Sequence, residues 1–411
     1  MVVILEIQHV TEDRRRQWWG IQSTVFAFEF KDDEVGMFDA VQNWERAWAA
    51  HSGDQMVGSA ASLDLTLTVP GGAGVPAAGL TAVAVLPTHR RSGALTAMIR
   101  HSFQDAREHG DPVAALLASE SAIYGRFGYG VATHACDLTI TRPHSALRGG
   151  LQITGRVRLV DLDEARALLP DLQSASTSGL GVPGSIGRSD PMWAVYFHDP
   201  EHWRDGATAR FHAVYENGAG VPTGFVRYRL KENWDDALPQ YQMTIGDLHA
   251  VDAEAYGALW SYCLGVDLVS TVKSYSRRVG EPVLELLADP RRVQRRIRDG
   301  LWVRLIDLPA ALASRHYRVE GDLVLEVEDD LCPWNQGRYR LSGGPDGAVC
   351  AGTNTGPDLK IAASDLASAY LGNERLASQC WAGRVQGSDA AVERARLMFS
   401  WGQEAWCTVD F

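Results

Sequence analysis

Between residues 79 and 130 the chain sets out a strand, a basic loop, a helix, a second strand and a glycine-rich turn, and this order constrains its fold more than any other feature. Gly79 to Val85 has the pattern of a strand and stops at Leu86-Pro87. From about Gly93 to His109, Leu95, Met98, Ile99, Phe103 and Ala106 fall on one side of an amphipathic helix, which Gly110-Asp111-Pro112 terminates. Val113 to Ala118 is a short buried strand, and a helical turn follows it into Gly125-Arg126-Phe127-Gly128-Tyr129-Gly130. The segment is therefore α/β.

The loop inside this unit has a chemistry of its own. Ala82 to Leu95 (AVAVLPTHRRSGAL) presents successive backbone amides at the mouth of a helix, and such amides bind an anion. A diphosphate needs exposed N–H groups, the partial positive charge of a helix start, and small residues where the backbone must come close. Ser92, Gly93 and Ala94 are small, and Arg90 and Arg91 add charge. The plainer alternative is a strand-to-helix turn with two solvated arginines. Gly71-Gly72-Ala73-Gly74 also looks like a phosphate loop, but no Lys-Ser/Thr follows it and it joins two strand patterns, Met56 to Val69 and the one after it, so it is expected to be a hairpin.

At 411 residues the chain is too long for one ordinary core, because domains run to roughly 100 to 200 residues. Three are expected, at residues 1–145, 146–305 and 306–411. The pattern relaxes around Leu147-Arg148-Gly149-Gly150, and a new α/β segment runs from Val157 to about Leu305. Within it Gln242 to Val251 resembles a strand, and Asp252 caps a helix carrying Ala255, Leu259, Tyr262 and Cys263. This echoes the first segment without its arginine-rich loop, as an internal duplication with a non-binding second copy would. The remainder begins near Asp307 to Leu312 and shows strands such as Leu323 to Glu328, then helices around Ser364 to Tyr370 and Ala390 to Phe399, a third, α+β domain.

Composition excludes several classes. With 45% hydrophobic and 22% charged residues the chain is globular rather than disordered or fibrous. No run approaches the roughly 18 apolar residues of a membrane span, and Glu6 and the charged run Glu12 to Arg16 follow the start at once, so neither a signal peptide nor an anchor is expected. A formal charge of -12, from 51 acids against 39 bases, repels polyanions and argues against nucleic acid as a partner. Six cysteines stand singly without a CxxC pair, the usage of reduced thiols in a cytoplasm.

The pattern R-x-x-G-x-x after a V-x-V strand resembles the coenzyme A loop of the GNAT acetyltransferase superfamily, whose common form is Q/R-x-x-G-x-G/A. Arg90, Gly93 and Leu95 occupy those places, and Leu95 departs from the last of them. Ala118 to Gly130 (ASESAIYGRFGYG) is similar to the GNAT segment in which a tyrosine faces the thioester sulfur, and resembles in particular the Eis (enhanced intracellular survival) acetyltransferase family. That family also shows THRR-x-G in its loop, present here from Thr88 to Gly93. Its Leu-Trp-x-Arg and Pro-Ala-Ala-Leu stretch is matched by Leu301-Trp302-Val303-Arg304 and Pro309 to Leu312, and its C-terminal Phe by Phe411.

The resemblance implies two tandem GNAT-like domains, α/β and α+β in class, followed by a sterol-carrier-protein-like α+β domain, in a homohexamer. It implies an acetyl-coenzyme A dependent N-acetyltransferase acting on primary amines of aminoglycosides or similar cations, by direct transfer in a ternary complex and without a metal. Residue by residue, it implies that Val83, Ala84 and Val85 bond the pantetheine arm as an added strand. Arg90 completes the motif, and Arg91, Ser92, Gly93, Ala94, Leu95 and Thr96 hold the diphosphate. Ser119 and Glu120 line the cofactor, and Tyr124 donates a proton to the departing thiolate. The terminal carboxylate of Phe411 takes a proton from the amine, through water. Glu29, Trp44 and Asp410 select the cation, with Asp32, Asp33 and Glu34 as nearby alternatives. The chemistry needs such groups: the amine must lose a proton to attack, a thiolate of pKa about 8 to 9 leaves more readily beside a phenol, and the rest is orientation. Tyr124 as a packed aromatic in a tight turn, which Tyr129 fits better, and Phe411 as a frayed tail are the plainer alternatives.

Other constellations are weaker. The twelve histidines form no HExxH and no Cys/His ligand set, so no metal is expected. Ser119 and Ser121 lie in no G-x-S-x-G elbow, which sets a hydrolase aside. The basic run Arg291 to Arg298 is expected to be a solvated or subunit-contacting helix with Val293 and Ile297 on one face. Two functional alternatives stay open: a protein-lysine or polyamine acetyltransferase, and a non-catalytic protein whose third domain binds a lipid or other small molecule.

Overall fold

The structure, a computed structural model, describes residues 5–29, 31–373 and 375–411. It forms two compact units: one from the segment up to Thr133 with Leu301–Ala405 and Val409–Phe411, the other from His134–Gly300 with Trp406–Thr408.

The chain opens the first unit with strands β1 (Leu5–His9), β2 (Ala47–Ser52), β3 (Gln55–Thr68), β4 (Gly74–Val85), β5 (Val113–Leu117) and β6 (Gly130–Val131). Between them lie helices α1 (Arg15–Phe26), α2 (Asp32–Val41), α3 (Ala94–His109) and the single turn α4 (Ser121–Tyr124). The hairpin expected at Gly71–Gly74 is present: Val69 N–H donates to the Ala73 carbonyl and Gly72 N–H to the Val69 carbonyl, with Gly71 and Gly72 at φ 100° and 86°. Helix α3 buries Ala94, Met98, Ile99, Ser102, Phe103 and Ala106 against the Trp48, Val57, Ala60, Ala78 and Leu80 side of the sheet. It ends at Gly110 in the left-handed region, as the sequence indicates. A buried charge ties this layer together. Arg46 bonds Asp64 at 2.6 Å, Asp105 at 2.6 Å and Asp111 at 2.8 Å, joining β3, α3 and the turn after it, and loss of Asp111, the most buried of the three, costs about 3–5 kcal/mol.

The second unit follows with β7 (His134–Thr141), β8 (Arg156–Val160), β9 (Phe211–Glu216), β10 (Pro222–Lys231), the small hairpin β11 (Trp234–Asp235) and β12 (Leu238–Pro239), β13 (Tyr241–Ala250), β14 (Val269–Arg277) and β15 (Gln294–Asp299). Its helices are α5 (Leu162–Ser176), α6 (Asp190–Phe197), α7 (Ala253–Gly265) and α8 (Val283–Leu286). Seven strands make one sheet in the order β15-β7-β14-β13-β10-β9-β8, with α7 crossing between the parallel pair β13 and β14.

The chain then returns to the first unit. Strand β16 (Leu301–Leu305) enters the first sheet, giving the order β1-β2-β3-β4-β5-β16-β6. Helix α9 (Leu308–Ala313) leads into a five-stranded sheet of β17 (Gly321–Glu328), β18 (Gly337–Gly344), β19 (Gly347–Gly352), β20 (Leu359–Ala362) and β21 (Val385–Gly387), with α10 (Ala363–Ala369), α11 (Leu376–Trp381) and α12 (Asp389–Phe399).

The helix expected over Arg291–Arg298 is not what forms. Gln294–Asp299 is strand β15, at the edge of its sheet and paired with β7 from Gln294 against Thr139 to Asp299 against His134. Val293 and Ile297 four apart suited a helix face, yet Ile297 is exposed between Arg296 and Arg298. Charge along an open edge prevents another strand from adding there, which gives this run a reason to be basic.

Candidate active site

The site is built where β4 leaves β5. The two strands run parallel only over Ala77–Gly79 against Val113–Ala115, and from Leu80 to Val85 the β5 side of β4 has no ladder partner among the described residues. A bulge bends β4 at the same place. Register passes from Thr81 opposite Ala61 to Ala84 opposite Ser59, so Ala82 and Val83 together face Ala60. Ala82 sits at φ 53°, an uncommon conformation for a residue with a Cβ, and its carbonyl accepts from Gln22 Nε2 at 2.5 Å and Ser59 Oγ at 3.1 Å. The sequence analysis did not single out Gln22 or Ser59: a side chain that holds a bulge leaves no periodic trace.

The basic loop leads from this strand to α3. Pro87–His89 form a 3-10 turn, and Ser92 Oγ donates to the His89 carbonyl at 2.7 Å. Arg91 and Gly93 both take positive φ, 63° and 94°, and Gly93 is the N-cap of α3. No side chain caps this helix start, and no acid lies in its first turn. The amides of the first turn and the helix dipole therefore remain available to an anion. Arg90 and Arg91 are exposed, Ser92, Leu95 and Thr96 half-buried, and Ala94 buried.

Tyr124 closes α4 and is 7% exposed. It belongs to the core cluster of Ala78, Leu80 and Ala94, against which Val83, Val85 and Leu95 also pack. Burial, reinforced by the Glu120 carboxylate, pushes its phenol up to about 12, so it carries its proton at neutral pH. Its ring meets Tyr129 edge-on at 6.0 Å. Tyr129 is wholly enclosed and its hydroxyl makes no hydrogen bond among the described residues; burial pushes it up further still. Ser119 and Glu120 are exposed in the loop between β5 and α4.

The end of the chain reaches the fork. A Cβ built on Gly79 would lie 3.3 Å from Phe411 Cε2, so the Phe411 ring stands beside the last paired residue of β4. Asp410 is exposed. Glu29 is exposed beyond the end of α1. Trp44 packs with Trp18 at 5.4 Å and Trp19 at 6.3 Å under the Arg15 guanidinium, its indole N–H on the Asp39 carbonyl. Glu34, an alternative acid, is buried and accepts from Lys31 N–H at the start of α2, so it caps that helix instead. The Asp32 and Asp33 side chains lie outside the described residues.

All six cysteines are free, and no group of three or more His, Cys, Asp or Glu among the described residues is placed to hold a metal ion. None of the described helices is long and apolar enough to cross a membrane.

Known proteins share this fold and domain order. Family models for an acetyltransferase (GNAT) domain match residues 6–132 and 184–305, and one for a sterol carrier protein domain matches residues 308–408. An uncharacterised N-acetyltransferase of Streptomyces avermitilis is 40% identical over 92% of each chain. The N-acetyltransferase Eis of Mycobacterium tuberculosis is 35% identical over 84% of this chain and 83% of its own. The crystal structure of Eis1 from Mycobacterium abscessus superposes with a TM-score of 0.85 at 30% identity, covering 99% of this chain and 100% of that one. Two GNAT domains followed by a sterol-carrier domain, at these identities over most of the length, place the chain in the Eis family of GNAT N-acetyltransferases.

Proposed function

We propose that this acyltransferase moves acetyl from acetyl-coenzyme A to a primary amine of a cationic small molecule, an aminoglycoside or a similar polyamine, by direct transfer in a ternary complex. The observation that carries the proposal is the fork between β4 and β5 after Gly79. Its residues fit the group. The edge from Leu80 to Val85 offers Val83–Val85 for a pantetheine arm to join as a strand. The acid-free, glycine-capped start of α3 offers the amides from Arg91 to Thr96 for a diphosphate, with Arg90 and Arg91 adding charge. Ser119 and Glu120 lie between β5 and α4 and line the same fork in this reading.

When bound, acetyl-coenzyme A supplies the thioester that the amine attacks. Tyr124 holds a proton at its phenol and donates a hydrogen bond where charge develops on sulfur; at about 12 its pKa exceeds that of a thiol, so the hydrogen bond carries most of the stabilisation, and a proton given to sulfur is replaced by the one the amine loses. The carboxylate of Phe411 takes the proton that the amine loses, and its ring beside Gly79 supports that role. One proton leaves nitrogen and one reaches sulfur, so the transfer balances. The chain's charge of -12, with Glu29, Asp410 and the Trp44 face, favours a cationic acceptor. The hexamer belongs to the same proposal.

Release of free thiol from acetyl-coenzyme A is the test, with kanamycin and a lysine peptide as separate acceptors and a Tyr124→Phe chain beside the wild type. Amine-dependent release that collapses in the variant supports the proposal, and the faster acceptor decides between antibiotic and protein lysine. Failure to bind acetyl-coenzyme A would sink it.

A further inference from the structure

The second unit holds a cavity of about 630 Å³, bordered by β8, β9 and the loop after α6. One carboxylate in this region, Asp199, serves three guanidinium groups. It accepts a hydrogen bond from Arg229 and one from Arg210 N–H at 2.9 Å, and stands 3.7 Å from Arg204 Nε and 3.8 Å from Arg210 Nε. Arg204 Nη2 donates to the Asp199 backbone carbonyl at 2.7 Å and Arg229 Nη1 to the Trp203 carbonyl at 3.1 Å. Three cations less one anion leave two positive charges, in side chains only 13 to 27% exposed.

The other charges nearby do not cancel them. Asp161 is used as the N-cap of α5, accepting from Glu164 N–H, and Arg166 stands with Asp163 at 3.5 Å. Arg227 is engaged with Asp247 and the Tyr196 carbonyl. The Nε atoms of Arg204 and Arg210 face Asp199 at 3.7 and 3.8 Å, too far for a hydrogen bond, and make none among the described residues. The surplus is felt: burial, then Arg227 and Arg229, push Arg210 down to about 10, and burial with Arg227 and Arg210 pushes His212 down to about 4, leaving it neutral. Beside this cationic wall, Leu159, Phe197 and Phe211 line the same cavity with apolar surface.

We infer that this cavity binds a small organic anion, a phosphate or carboxylate joined to an apolar body, at a site distinct from the fork of the first unit. Guanidinium groups take such oxyanions through paired, charge-assisted hydrogen bonds, and Arg204 and Arg210 both line the cavity while sharing the single Asp199 carboxylate with Arg229. The anion neutralises the surplus that the chain leaves uncompensated, and its apolar part covers Phe197 and Phe211.

Calorimetric titration of the full chain with phenyl phosphate, inorganic phosphate and phenol tests this. Phenyl phosphate should bind, inorganic phosphate more weakly, and phenol not at all. Arg210→Gln and Arg204→Gln should each weaken phenyl phosphate at least about tenfold, the loss of one charge-assisted pair. Arg91→Gln, in the α3 loop, should leave it unchanged. Because Arg210→Gln removes self-repulsion, its thermal midpoint without ligand should equal or exceed the wild type's, and Arg204→Gln carries the test should it not. No heat with phenyl phosphate, equal affinity in both arginine variants, or loss in Arg91→Gln instead would overturn the inference.

Discussion

Two parts of this chain share one topology and differ in what stands at the helix start. In the first unit β4, α3 and β5 form a parallel pair with a crossing helix; in the second, β13, α7 and β14 do the same. Helix α3 starts at a glycine with no capping side chain and no acid in its first turn. Helix α7 starts at Asp252, whose side chain accepts from Ala255 N–H, with Glu254 in its first turn taking Tyr215 hydroxyl at 2.6 Å and Thr154 N–H at 2.6 Å. The first helix start favours an anion and the second disfavours one, because the Asp252 carboxylate already takes the Ala255 amide and, with Glu254, offsets the positive end of the dipole. The forks differ likewise. Past the last register pair, Ile245 with Ser274, the chain's own groups occupy the second: Arg277 donates to the Leu248 carbonyl at 2.9 Å and to Glu281, and Trp406 lies over Arg277 with its indole N–H on the Ser276 carbonyl. Topology supplies the frame, and the helix cap and the contents of the fork decide which copy can hold a diphosphate.

The largest effect expected from breaking this asymmetry is chemical. Tyr124→Phe removes the proposed proton donor and leaves the loop intact, so kcat should fall by about 10²- to 10⁴-fold while the KM for acetyl-coenzyme A changes little, as thiol release would show. An unchanged kcat would mean that the ring, which the variant keeps, mainly shapes the pocket. Giving the first helix the second's cap comes next. Gly93→Asp puts a carboxylate at the proposed diphosphate site, at φ 94°, and should raise the KM for acetyl-coenzyme A by roughly 10- to 100-fold, from strain and repulsion of about 1–3 kcal/mol together. Unchanged KM would remove the α3 start from the proposal.

The alkaline limb is a smaller effect with a definite sign. Tyr124 titrates at about 12 in the folded chain against an ordinary value near 10, so the folded state keeps a proton that the unfolded state loses between them. Its contribution to stability is complete below pH 10 and declines as pH rises to about 12. Tyr124→Phe should therefore flatten the fall in thermal midpoint across that window, measured by calorimetry.

Much of this asymmetry was legible in the sequence. Arg90, Arg91 and Gly93 before an amphipathic stretch mark the α3 start because composition, cap and periodicity agree there, and Asp252 marks the α7 start in the same way. What escaped depends on partners distant in sequence. The bulge at Ala82 is held by Gln22, sixty residues away. Leu301–Leu305 has a strand pattern but nothing in it says that it pairs with β5, while His134–Thr141 joins the sheet of the second unit. Val293 and Ile297 fitted a helical spacing, yet the residues around them form an edge strand, because the partner strand β7 outweighs a two-residue period match. The arginines around Asp199 come from two segments, the connection before β9 and strand β10, and only folding brings Arg229 to Arg204 and Arg210.

The smallest expected effect isolates the comparison best. Asp252→Ala deletes the α7 cap but touches nothing at the fork of the first unit. The lost hydrogen bond to Ala255 N–H should cost about 1 kcal/mol, seen as a modest fall in thermal midpoint, with thiol release unchanged at every acetyl-coenzyme A concentration. If the second unit were merely a capped version of the first, uncapping it should create a second binding event for coenzyme A. None is expected, because Glu254 remains in the first turn, and Arg277 with Trp406 still occupies the parting of β13 and β14. A second site appearing in calorimetry would show that the cap alone silences the copy; one site, with slightly lower stability, would show that Glu254 and the filled fork together are sufficient without it.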